Sequence, residues 1–195
     1  MAHANIYEAI VVGTSAGGFH ALSTILENIP PDYPIPIVVV QHRAKDSRDL
    51  LEDILQRKCK IKIRQADEKE KIKPGMVYIA PPDYHLLVEA DQTFSLSSDP
   101  PVHFSRPSID VLFESAAHAY RKKLIGIILT GSNQDGAEGI TSIRRNGALT
   151  IAQDPAEAQY SLMTQASIDT DSVTYVWSLS AIRDFLERLP GGVGV

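Results

Sequence analysis

The stretch Ala9-Ile10-Val11-Val12-Gly13-Thr14-Ser15-Ala16-Gly17-Gly18 decides how this chain is read. An apolar, β-branched run that breaks into a glycine-rich turn marks the end of a buried strand and the start of a helix. Two later runs end in a similar way. Ile37-Val38-Val39-Val40 stops at Gln41-His42, and residues 125–129 lead to Gly131-Ser132-Asn133-Gln134-Asp135-Gly136. In an open parallel sheet the carboxyl ends of the strands share one rim, so residues distant in sequence converge there. Ser15, His42 and Asp135 each follow such a strand, and a hydrolytic triad is the leading expectation.

Around these runs, apolar strands alternate with segments of helical period. The pattern predicts an α/β, doubly wound three-layer fold with a mainly parallel sheet. Helices are expected from near Gly17, with Phe19, Leu22, Ile25, Leu26 and Ile29 on its buried face, and over residues 47–58, burying Leu50, Leu51, Ile54 and Leu55. Strands are expected over residues 61–65 and 76–80, and an antiparallel hairpin over residues 85–97. Ser108 is placed as the cap of a helix carrying Ile109, Leu112, Phe113 and Ala116. A short helix over residues 136–146, strands over 148–152 and 173–176, and a helix from Ser180 complete the reading.

The bulk properties narrow the function. At 195 residues and 44% hydrophobic composition, the chain is expected to form a single domain over residues 1–195. Its 19 basic against 24 acidic residues give a net charge of −5, which lacks the basic excess of a phosphate-backbone binder, so no nucleic-acid partner is expected. Cys59 is the only cysteine, which excludes an internal disulfide and suits a reducing cytoplasm. No apolar stretch nears the roughly 20 residues that span a bilayer, and the first ten residues lack a basic start and signal-like core. A cytoplasmic protein without direct membrane insertion is expected.

A serine hydroxyl is a weak nucleophile at neutral pH and needs a histidine to take its proton and a carboxylate to fix that histidine's tautomer. His42 and Asp135 fit these roles, with Asp110 and Asp154 as competing acids. Such chemistry calls for no metal and no cofactor. Taken singly, Ser15 also reads as a helix cap, His42 as a solvated strand-end residue and Asp135 as a turn residue. Three such coincidences on one rim are the weaker account. The order Ser15, His42, Asp135 departs from the α/β-hydrolase order of serine, acid, histidine. A dinucleotide fingerprint would need glycine at position 15 and an acidic residue after the second strand, where Gln41-His42-Arg43 stands.

Several further segments carry a resemblance: Tyr78-Ile79-Ala80-Pro81-Pro82-Asp83-Tyr84-His85, Arg106-Pro107-Ser108-Ile109-Asp110-Val111-Leu112-Phe113, residues 126–136, and Ile151-Ala152-Gln153-Asp154. With the Ser15 turn and Gln41-His42, they resemble the catalytic domain of the chemotaxis receptor methylesterase family, the CheB type, over nearly the whole chain. The resemblance implies hydrolysis of glutamyl methyl esters on the cytoplasmic helices of chemoreceptors, releasing methanol, with deamidation of receptor glutamines as a second activity. It places the triad on Ser15, His42 and Asp135 and the oxyanion hole on the backbone N–H groups of Ala16 and Ser132.

Two segments depart from the family pattern. Gly131-Ser132-Asn133-Gln134 stands where Gly-Met-Gly is usual, and Leu162-Met163-Thr164 where Gly-Met-Pro is usual. Arg43, Tyr84, Arg106 and Met163 neighbour the rim motifs and are candidate substrate contacts. Regulated members carry an amino-terminal receiver domain, and none is expected within this chain; a receiver acting in trans and one lost from this chain both stay open. Two other readings stay open: a receptor- or partner-binding module without catalysis, and a triad esterase that acts on another ester.

Overall fold

The computed structural model describes residues 7–43 and 50–191. The β-branched runs form β1 (Ala9–Thr14) and β2 (Ile37–Gln41), both buried along their whole length. Strands with no polar face need cover on both sides, which a parallel sheet between helical layers supplies. The remaining strands are β3 (Lys62–Gln65), β4 (Met76–Ile79), β5 (His85–Val88), β6 (Phe94–Ser97), β7 (Leu124–Ile128), β8 (Leu149–Gln153) and β9 (Tyr175–Trp177). Seven of them form one sheet in the order β3-β4-β2-β1-β7-β8-β9, and every neighbouring pair is parallel. Strands β5 and β6 form the separate antiparallel hairpin.

Side chains alternate across the sheet with period two, and the two faces bury different partners. Ile10 and Val12 face α1 (Gly18–Leu26), α2 (Leu51–Lys58) and α6 (Leu179–Arg188) through Leu22, Ile25, Leu55 and Ile182. Ala9 and Val11 face α3 (Ile109–Tyr120) and α4 (Ala137–Arg145) through Phe113, Ala116 and Ile140, with the hairpin's Leu86, Val88 and Phe94 in the same layer. Each fully buried aliphatic side chain in these layers contributes about 1.5–3 kcal/mol. No helix among the described residues is long and apolar enough to cross a membrane.

Four local expectations are corrected. In α2 only Leu55 is buried, whereas Leu50 is 52% and Ile54 39% exposed, so that apolar stripe is wider than the face it buries; the expected start at Ser47 lies outside the described residues. In α1, Phe19 turns outward beneath the Lys58 ammonium, whose Nζ is 5.1 Å from the ring centroid. A helix that the periodicity did not reveal, α5 (Leu162–Ile168), follows β8. It buries Met163, Thr164 and Ser167 by returning the hydroxyls to the carbonyls of Ser161 and Met163. The terminal helix begins at Leu179, with Ser178 rather than Ser180 as its cap, its hydroxyl accepting from the Ala181 N–H.

Strand order positions the site. The chain builds outward from β1 through β2 on one side and from β7 through β8 and β9 on the other. The carboxyl ends of β2, β1 and β7 are therefore adjacent at the switch point, where open sheets of this kind place their ligands.

Candidate active site

Ser15 leaves the end of β1, the middle of these three strands. Its N–H donates to the Thr130 carbonyl (3.0 Å) and its carbonyl accepts from Gly18 N (2.9 Å), which folds residues 15–18 into a tight turn. Gly17 takes φ 80°, where a side chain would be strained and would press on Thr130 Cγ2 at 3.1 Å. At Gly18 a Cβ would collide with Gln41 Oε1 and Thr14 Oγ1. The loop is tied to its neighbours by hydroxyls. Thr14 Oγ1 donates to the Thr130 carbonyl, and Thr130 Oγ1 to the Ala16 carbonyl, both at 2.9 Å. Ser15 opens on a hollow of about 400 Å³ bordered by Phe19, His20, Gln41, Arg43 and Gln159.

Gln41, the last residue of β2, bridges the serine and histidine loops. Its Nε2 donates to the carbonyls of Ser15 (2.8 Å) and His42 (3.0 Å). In the sequence Gln41 stands out only as the neighbour of His42.

Of the three candidate acids, Asp135 meets the histidine: His42 Nε2 lies 2.7 Å from Asp135 Oδ2. A carboxylate only accepts, so Nε2 carries the proton and Nδ1 is the basic nitrogen. Asp135 is fully buried and lies at the amino end of α3, accepting from Ile109 N (2.7 Å), Asp110 N (3.1 Å) and Ser108 Oγ (2.9 Å). It caps that helix from another part of the chain. Ser108 holds the cap position but sends its hydroxyl to Asp135, which corrects the expectation that it caps α3 itself. Burial pushes the Asp135 carboxyl up, but the hydrogen bonds from His42, Ile109 and Asp110 outweigh it and hold the group below its ordinary value. The positive end of α3 acts in the same direction.

Asp154 lies at the end of β8 and accepts from the Ala156 N–H. Asp110 accepts from Gly139 N (2.7 Å) and turns Oδ2 toward His103 Nε2 (3.3 Å). Burial raises its carboxyl to about 7, against the Gly139 N–H bond, with the Asp135 charge adding to the rise. His103, Asp110 and Glu138 are the group among the described residues whose spacing suits a metal ion, and the triad contains none of them. His85, a residue without an expected role, supports the site from beneath. Its Nε2 donates to the Pro100 carbonyl (3.1 Å), which leaves Nδ1 to accept from Ser108 N (3.1 Å).

The N–H groups of Ala16 and Ser132 find no acceptor among the described residues. Arg43 borders the Ser15 hollow and donates to Glu52 and the Ala80 carbonyl. Tyr84 is exposed. Arg106 is engaged by Asp83 and by the carbonyls of Ser98 and Asp99. Met163 is fully buried and packs under Gly131, so it presents no surface to a substrate. A second hollow of about 290 Å³ lies on the His42 side, bordered by Asp83, Phe104, Ser105 and Arg106.

Known proteins are similar to this chain in sequence and fold. The family model described as CheB methylesterase matches residues 10–186. A Symbiobacterium thermophilum protein named protein-glutamate methylesterase/protein-glutamine glutaminase is 34% identical over 182 residues, covering 93% of this chain and 50% of its own length. A Leptospira interrogans protein, whose name proposes the same two activities, is 54% identical over 183 residues, covering 94% of this chain and 95% of its own. The crystal structure of the Thermotoga maritima CheB methylesterase catalytic domain superposes with a TM-score of 0.89 at 33% identity, covering 96% of this chain and 99% of that one. On these grounds, the chain belongs to the CheB methylesterase family.

Proposed function

We propose that the protein is a serine hydrolase that removes methyl groups from glutamyl methyl esters on the cytoplasmic helices of chemoreceptors. The observation that carries this reading is the 2.7 Å contact of His42 with the buried Asp135, set one strand away from Ser15. Ser15 Oγ attacks the ester carbonyl while His42 Nδ1 takes its proton. The oxyanion forms against the N–H groups of Ala16 and Ser132, beside the positive end of α1. Collapse breaks the bond to methoxide, which leaves as methanol with the proton from His42. Water then attacks the acyl-enzyme, its proton passing through Nδ1 to Ser15 Oγ, and the receptor glutamate is restored.

A glutamine side chain follows the same path with ammonia as leaving group, in line with the second activity in the relatives' names. Arg43, which borders the Ser15 hollow, serves in this reading as a substrate contact. The exposed apolar side chains Phe19, Phe104, Tyr160 and Leu162 surround the rim and suit a helical protein substrate better than a small ester. Methanol release from methyl-esterified receptor membranes tests the reading. Release by the wild type with loss of several orders of magnitude in Ser15→Ala is expected. A folded wild type that releases none would overturn it.

A further inference from the structure

His42 Nδ1, the nitrogen that must take the proton, has no hydrogen bond to Ser15 Oγ. Its nearest polar partners are Asn133 Nδ2 at 3.4 Å and Ser105 Oγ at 3.5 Å. The orientation of the Asn133 amide is fixed at its other end, where Oδ1 accepts from Asp135 N at 3.2 Å. Nδ2 then faces His42 Nδ1 and, at 3.5 Å, Ser105 Oγ, and an amide nitrogen can only donate. One side chain thus grips the backbone of the acid with its oxygen and the lone pair of the base with its nitrogen.

We infer that Asn133 is a positioning residue for His42, capping its basic nitrogen in the resting enzyme. The inference rests on the functional reading above only for its kinetic consequence. Protonated Nδ1 would be a donor facing another donor, so the contact favours the neutral ring. When substrate and Ser15 engage, the amide must yield Nδ1 to the serine hydroxyl. The other charged groups near the ring are Asp135 on Nε2, Arg43 beside it with its partner Glu52, the Asp83–Arg106 pair across the hollow, and Asp110 behind Asp135.

The test compares Asn133→Ala and Asn133→Asp with the wild type. The first removes both contacts, and the second keeps an acceptor for Asp135 N while placing an anion beside Nδ1. The acid limb of the kcat/KM profile should move up by about half a pH unit in Asn133→Ala, the worth of one lost neutral hydrogen bond. In Asn133→Asp it should move up by about one to three units. Nitrogen-15 spectra of the His42 ring, recorded against pH without substrate, should shift in the same direction and by the same order. Thermal melts establish that both variants are folded. Ring spectra and acid limbs that coincide with the wild type in both variants would overturn the inference and leave Asn133 as a turn residue. A wild type with no esterase activity would instead refute the functional reading, and the ring spectra would still decide the role of Asn133.

Discussion

Replacing Asp135 by asparagine tests the site most severely, because the change is nearly isosteric and the carboxylate is fully buried. The carboxylate accepts four hydrogen bonds: His42 Nε2 and Ile109 N on Oδ2, and Ser108 Oγ and Asp110 N on Oδ1. An asparagine keeps one accepting oxygen and turns an NH2 toward the other pair of donors. Two charge-assisted bonds of about 1.5–3 kcal/mol each are lost, and relief from burying an anion offsets part of the loss. A net destabilisation of about 2–4 kcal/mol is expected, read as a lower denaturant midpoint. If the NH2 faces His42, the ring must accept at Nε2, which moves its proton to Nδ1 and removes the base. The corresponding change in other serine triads lowers kcat by about 10⁴, which is about 5 kcal/mol of transition-state stabilisation. The assay is kcat on a methyl-esterified receptor peptide, with the fold checked by circular dichroism. A folded Asp135→Asn variant within tenfold of wild-type kcat would refute the roles given to Asp135 and His42.

Three further outcomes follow from the geometry. Gly17→Ala puts a side chain at φ 80° and should cost about 1–2 kcal/mol, seen as a Tm drop of a few degrees, together with reduced activity as the Ser15 turn shifts. Gln41→Ala leaves the Ser15 and His42 carbonyls without their shared donor; kcat should fall about 10- to 100-fold with KM little changed, and an equal loss in Gln41→Ala by KM alone would contradict the bridging role. Asp110 binds its proton more tightly in the folded chain than in the unfolded one, where carboxyls titrate near about 4, so its contribution to stability fades as pH rises toward about 7. Asp110→Asn should therefore gain on the wild type in Tm as pH is raised through that window, and a Tm difference independent of pH would contradict it.

The strands that carry the triad were legible because a two-sided buried strand has nowhere to place a polar residue. Val38-Val39-Val40 and the run ending at Leu129 announce themselves by composition. Spacing alone does not separate Asp135 from Asp110 and Asp154, since each could be placed near the rim; the family resemblance singles it out, and in the fold its contact with His42 distinguishes it. The cap at α3 was misread because Ser108 fits the local pattern while its actual acceptor lies 27 residues later. Helix α5 was missed because it buries threonine and serine, whose hydroxyls are satisfied by the helix's own carbonyls, and so shows no apolar period. The partners of Arg106 were hidden in the same way: its charge is visible in the sequence, but the Asp83 carboxylate and two carbonyls that meet it are not.

The central claim is that Ser15 forms the covalent intermediate. Rapid acid quench of the enzyme turning over a methyl-esterified receptor peptide, followed by peptide mass mapping, reads this directly. An acyl adduct on the peptide containing Ser15, absent from Ser15→Ala, is the predicted result. An adduct on Ser105, whose hydroxyl lies 3.5 Å from His42 Nδ1, or undiminished methanol release by Ser15→Ala, would contradict the account.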